Sequence, residues 1–231
     1  MMMHLLELRR RLLWIAGVFL LLFCVFFAFS SDVFHYIVSP LLQLLPGGTG
    51  LIATHITTPV LIPLTLAADF SLLCTAPVGI LHAWRFAAPG LYPHEQRGLG
   101  VTIGLSLLLF CMGVLFCFYG VLPLMMQLFV NAVPMGVRFM PEMTSTVDFI
   151  TRMLLLFGLC FQVPLVCVLL VKTGLMDIAA LKKARPYWIV AAFIVGMLLT
   201  PPDVLSQLML AIPLCLLYEL GLILAKPRSD R

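Results

Sequence analysis

Residues 9–29 read RRRLLWIAGVFLLLFCVFFAF: three arginines, then eighteen residues without a charge. As a helix rising 1.5 Å per residue, 12–29 spans about 27 Å, close to the ~30 Å hydrocarbon core of a bilayer. Ala28-Phe29-Ser30 looks cleavable, but the run exceeds the usual signal-peptide core of about 7–15 residues. Five more apolar runs follow it, so 12–29 is expected to be a retained first span.

Those further runs cover 62–86, 101–131, 147–171, 187–199 and 204–224. Once six spans are laid across a bilayer, twelve of the fourteen Lys and Arg residues fall on one side. Arg9–Arg11, Arg85 and Arg97, Lys172, Lys182, Lys183 and Arg185, and Lys226, Arg228 and Arg231 share it. Residues 30–61 and 200–203 carry none, Arg138 stands alone on the other side, and Arg152 lies inside a run. Lys and Arg are retained on the cytoplasmic side, which places both termini there. The expected fold is all-α and polytopic: six transmembrane helices forming one domain over residues 1–231.

Composition agrees. The chain is 62% hydrophobic and 10% charged, with a mean hydropathy of +1.13; soluble domains carry about 25% charged residues. This leaves no room for a sizeable soluble domain. The net charge of +4 sits at the cytoplasmic ends, where anionic lipid headgroups attract it, and does not point to nucleic acid. All seven cysteines lie in apolar runs without a CxxC, as packing residues do; neither a metal nor a cofactor is expected.

The spans are uneven. The third, at about 46 Å, must protrude or bend, and Pro123 marks where. The fourth contains Gly158 and Pro164, and Pro164 should kink it. The fifth, 187–199, covers only about 20 Å, and Thr200-Pro201-Pro202-Asp203 turns it sharply into the sixth. So short a pair must thin the bilayer or pack inside protein. The segment 31–61 mixes Pro40, Pro46, Gly47, Gly48, Gly50 and Pro59 with Leu, Ile and Val, and is expected to be an ordered periplasmic cap.

Enzyme signatures are missing: no GxxxxGK[ST], HExxH or GxSxG occurs. An intramembrane enzyme would also need a nucleophile and base at one depth, and Ser206 has no such histidine. A small-solute transporter or channel would show inverted repeats with paired broken helices; only Pro164 with Gln162 hints at one. What remains is a pattern on the arginine-rich face. Glu7 lies in HLLELRRRLL at 4–13, one turn before Arg11, and Glu95 lies in FAAPGLYPHEQR at 86–97. A carboxylate on a cationic face suits a planar, two-pronged guanidinium.

These two blocks, with FGLCFQVP at 157–164, KKARPY at 182–187 and VGMLLTPPDVLSQ at 195–207, resemble the TatC family of twin-arginine protein translocases over nearly the whole chain. The resemblance implies a signal-peptide receptor in the bacterial inner membrane. It would export folded proteins with twin-arginine signal peptides, driven by the proton gradient. It implies that Glu7 and Glu95 meet the twin arginines, with Arg9 and Phe86 part of the site. It further implies that TatA-like and TatB-like single-span subunits dock at Met197, Thr200, Asp203 and Gln207, and that the chain associates with other copies of itself. Two departures stand out. The family's F-E-x-P glutamate is Gln162 here, and Pro93 replaces a common Lys. Two charges are also unexpected: Asp69 in span two and Arg152 in span four. Intramembrane charges are usually paired, so Asp69 is expected either to pair with Arg152 or to supply the acid that Gln162 lacks. The competing expectation joins Arg152 to Asp148, one turn away.

Overall fold

A peptide backbone in hydrocarbon has no water to bond, so each spanning stretch must close its own hydrogen bonds as a helix. A computed structural model describes residues 2–42, 50–87, 99–134, 140–199 and 204–225. Among these, five helical stretches are long and apolar enough to cross a membrane: Arg9–Ala28, Thr58–Trp84, Gly100–Asn131, Met143–Lys172 and Gln207–Leu224. A sixth apolar helix, Arg185–Leu198, is shorter. The expected all-helical, six-stretch architecture with a short fifth helix is therefore present.

In chain order the described helices are α1 (Met2–Ala28), α2 (Ser30–Leu42), α3 (Thr58–Ala87), α4 (Leu99–Phe116), α5 (Leu122–Asn131), α6 (Met143–Cys160), α7 (Val163–Lys172), α8 (Ile178–Lys183), α9 (Arg185–Leu199) and α10 (Val204–Leu224). The amphipathic turns before residue 12 continue directly into the first span, as expected. The bends follow the prolines. Pro123 has no N–H for the carbonyl four residues back. The chain answers with a π-helical turn at Cys117–Val121, where the Leu122 N–H reaches the Cys117 carbonyl. Pro164 acts likewise on the fourth span. The helix breaks at Phe161–Gln162, where the Gln162 N–H turns to the Leu159 carbonyl, 3.0 Å away, and restarts with Pro164 in its first turn.

The chain divides into two compact units. The first, Met1–Phe86 with Met126–Arg152, holds α1, α2, nearly all of α3 and the start of α6. Helix α2 was not anticipated as a helix within the cap. It buries Ile37 and Val38, and Ile62 and Leu66 of α3 and Val147 and Ile150 of α6 are also buried. Beyond it, Ile52 bridges Glu142, so the ordered part of the cap joins two connecting segments. Leu12, Leu13, Trp14, Leu20 and Leu21 of α1 stay exposed, as a helix facing hydrocarbon requires.

The second unit, Ala87–Met125 with Met153–Arg231, is built round α10, which packs on both α7 and α9. Cys167, Leu181, Tyr218 and Leu222 form its buried cluster. Helices α4 and α6 run antiparallel in close contact. A Cβ on Gly158 would lie 2.7 Å from the Phe110 ring, and one on Gly113 would lie 2.6 Å from the Phe157 carbonyl oxygen. Small residues let membrane helices approach this closely; here Gly158 receives the Phe110 ring, and Gly113 the Phe157 carbonyl and the Phe161 side chain just beyond α6.

Candidate functional site

At the arginine-rich end of α1, residues four apart share a face, which brings Glu7 to Arg11. Arg11 Nη2 donates to Glu7 Oε1, and Nη1 donates to the His82 carbonyl oxygen at 2.9 Å. His82 lies near the C-terminal end of α3, where carbonyl dipoles favour a cation. The Arg11 side chain is 20% exposed and that of Glu7 49%. Glu7 is thus the accessible half of the pair. Arg9 and Arg10 are exposed on the same helix. The backbone of Phe86 lies in the last turn of α3; its side chain, and all of Glu95, lie outside the described residues.

The polar positions inside the spans have found partners, though not all those expected. Arg152 Nη2 donates to Asp148 Oδ2 at 3.3 Å within α6. Asp69 instead accepts from Thr151 Oγ1 at 2.8 Å. The expected Asp69–Arg152 pair is therefore corrected. Helical geometry offers Asp148 to Arg152 on its own face, and Arg152 extends outward, 65% exposed, as long cationic side chains do. Gln162 is engaged with Ser106, whose hydroxyl donates to Gln162 Oε1, while Gln162 Nε2 donates to the Ser106 carbonyl at 2.9 Å. An amide can donate and accept at once where a carboxylate can only accept.

At the α9–α10 hairpin, Met197 is 56% exposed and Gln207 is half-buried. Gly196 is buried, and a Cβ on it would lie 3.6 Å from Gln207 Cα, so α9 and α10 meet closely there. Thr200 and Asp203 lie outside the described residues. The base of this hairpin carries contacts that the sequence did not announce. Arg185 Nη2 pairs with Glu219 Oε2 at 2.7 Å, and Trp188 stacks on Tyr218 with ring centroids 5.0 Å apart. The Tyr218 hydroxyl donates to the Leu181 carbonyl at 2.7 Å, and Trp188 Nε1 donates to the Leu214 carbonyl at 3.2 Å. Glu219 inside an apolar run was the one available signal, since such a charge needs a partner.

In the cap, Glu142 accepts hydrogen bonds from Thr54 at 2.6 Å and Ser145 at 2.7 Å. These bonds, the Thr54 one foremost, hold its carboxyl below the usual glutamate range, with His55 adding to the effect. Among the described residues no cluster of His, Cys, Asp or Glu could hold a metal ion. What the geometry offers is binding chemistry: an accessible carboxylate that already receives a guanidinium, and a helical hairpin with an exposed apolar face.

Comparison with known proteins points the same way. Residues 3–213 match the family model TatC, Sec-independent protein translocase protein. The chain is 44% identical to the Sec-independent protein translocase protein TatC of Haemophilus influenzae, covering 98% of this chain and 90% of that protein. Its identity to the TatC protein of Escherichia coli K12 is 40%, covering 96% and 86%. Among solved structures it resembles the crystal structure of the twin-arginine translocase receptor TatC, with a TM-score of 0.86 and 33% identity over 96% of this chain and 98% of that one.

Proposed function

The chain belongs to the TatC family of Sec-independent protein translocase proteins, and on that premise we propose that Glu7 and Glu95 are the carboxylates that receive the two arginines of a signal peptide. The chain is a multi-pass membrane subunit of a bacterial twin-arginine translocase; this identity displaces the small-solute transporter or channel reading. The observation that carries the assignment is Glu7 itself, half-exposed and accepting from a guanidinium. Arginine presents a rigid fork to two carboxylate oxygens, and lysine presents a point charge that cannot reproduce it. Arg9 and Phe86 complete the site.

Several further assignments belong to this reading. The charge asymmetry orients the six-span domain with both termini cytoplasmic. The α9–α10 hairpin receives the transmembrane helices of TatA-like and TatB-like subunits at Met197, Thr200, Asp203 and Gln207. Intramembrane polar contacts of this kind contribute about 0.6–2 kcal/mol each. Exposed Met197 and the close α9–α10 crossing support the docking face. The work is binding and handing over of a folded protein, with other copies of the chain in the assembly.

A photo-crosslinking residue at Gln96, beside Glu95, tests the site. Membranes holding the translocase are offered a precursor with a twin-arginine signal peptide, then the same precursor with twin lysines. Crosslinking to the first alone is the expected result. Equal crosslinking, or none to either, would remove Glu95 from the site.

A further inference from the structure

The Glu7 carboxylate is already in use. One oxygen, Oε1, takes a proton from Arg11 Nη2, while Arg11 Nη1 is held by the His82 carbonyl. The two side chains are unequally placed: Arg11 is largely covered and Glu7 is half-exposed. A second guanidinium can reach Glu7 from outside, but a grip on both oxygens makes it share Oε1 with Arg11, and the two like charges repel there, which favours release of Arg11. Arg11 would not then be stranded, because its other nitrogen stays on His82 at the partially negative end of α3.

We propose that Arg11 is the resident occupant of the Glu7 carboxylate, and that an arriving signal-peptide arginine binds by displacing it. This rests on the reading that Glu7 receives such an arginine. The exchange swaps one guanidinium–carboxylate contact for another, so the incoming residue gains little from Glu7 alone. A lone arginine in the cytoplasm is therefore a poor ligand, and a peptide must bring a second contact elsewhere to hold the site. Arg11 sets an affinity threshold: the apparent dissociation constant of a ligand that needs Glu7 free of Arg11 is the intrinsic one divided by the fraction of time Arg11 has let go. It is a positioning residue, acting through Glu7 and not on the peptide.

The test is binding of a fluorescent twin-arginine signal peptide to the full chain in lipid nanodiscs. Exposed ion pairs of this kind are worth about 0.2–1 kcal/mol, so Arg11→Gln should bind the peptide about 1.5- to 5-fold more tightly. A merely structural role for Arg11 predicts weaker binding on its removal. The tightening should vanish in a Glu7→Gln background, where nothing is left to compete for. Arg10→Gln removes the same charge one residue away and should tighten binding less. Arg11→Lys keeps the charge and one contact, and should fall between wild type and Arg11→Gln; it serves if the glutamine variant does not fold.

Unchanged or weaker binding by Arg11→Gln overturns the proposal. So does equal tightening by Arg10→Gln, or tightening that persists without Glu7. Unaltered binding by Glu7→Gln alone defeats the Glu7 assignment and this inference with it. Weakened binding by Glu7→Gln without tightening by Arg11→Gln defeats only the inference.

Discussion

Ser106 and Gln162 exchange two hydrogen bonds, one in each direction, whereas Asp69 and Thr151 hold each other by one. That single bond is contested. The Thr151 hydroxyl has one proton, and the Val147 and Asp148 carbonyls lie 3.0 and 3.3 Å from the same oxygen. Surroundings differ too. The Ser106–Gln162 contact continues into a steric zipper in which Phe110 covers Gly158, and Phe157 and Phe161 cover Gly113, with Phe116 5.7 Å from Phe161, centroid to centroid. The unit 2 contact is reciprocal in hydrogen bonding and filled in shape; the unit 1 contact rests on one shared donor. A neutral amide matched donor for acceptor fixes two helices together, while a carboxylate with one shared donor remains free to change partners.

Four measurements break or sharpen this contrast. Gly113→Ala attacks the reciprocal contact hardest, because the new methyl meets a backbone oxygen that cannot rotate away. It should destabilise the protein by about 1–3 kcal/mol or more, read as a lowered thermal midpoint in detergent; an unchanged midpoint would show that α4 and α6 separate easily. Gln162→Ala removes an acceptor of the fully buried Ser106 hydroxyl and the donor to its carbonyl, and should cost about 1–2 kcal/mol. Gln162→Glu keeps that acceptor but loses the donor to the Ser106 carbonyl and places a carboxylate in the span, so it too should be destabilised; wild-type stability in the glutamate variant would contradict the reciprocal bonding.

In the single-donor contact, Asp69→Asn retains an acceptor for Thr151 and removes a charge from the span. Stability should stay level or rise by up to about 1 kcal/mol, and a clear loss in the same melting assay would mean that the carboxylate is held by more than Thr151. The smallest effect is in the cap. The Glu142 carboxyl is held below its usual range by Thr54 first, then Ser145. Its contribution is therefore complete at neutral pH and fades only as acid takes the pH down through that lowered value. Glu142→Gln should lose that contribution at neutral pH and flatten the acid limb of a stability–pH profile, so that the variant and the wild type converge in acid. An identical acid limb in the variant would show that the Thr54 and Ser145 bonds do not favour the charged form.

Hydropathy made the spans legible because hydrocarbon forces long, charge-free helices, and the proline positions made both bends legible because a missing N–H has a local cost. Helix α2 went unread because the glycines and prolines from Pro40 onward coloured a whole segment whose first nine residues, 31–39, contain none. The Arg152 pairing divided between two expectations, and helical spacing gave the right one. In the site, Glu7 and Arg11 could be read from spacing alone. The His82 carbonyl could not, since every residue has one. Ser106 and Thr151 stayed hidden for a related reason: a hydroxyl in an apolar helix usually bonds its own backbone, so its type gives no address.

The π turn at Cys117–Val121 has a consequence for the bookkeeping of residues along the third span. A helix advances about 100° per residue, and a π turn accommodates one more residue than an α turn. Deleting Phe118 would let the segment relax to α geometry with α4 and α5 kept in phase. Deleting a residue such as Leu108 would rotate everything beyond it by that angle. The third span therefore holds a spare residue next to Pro123, and membrane accumulation of the two deletion variants should differ in favour of the first.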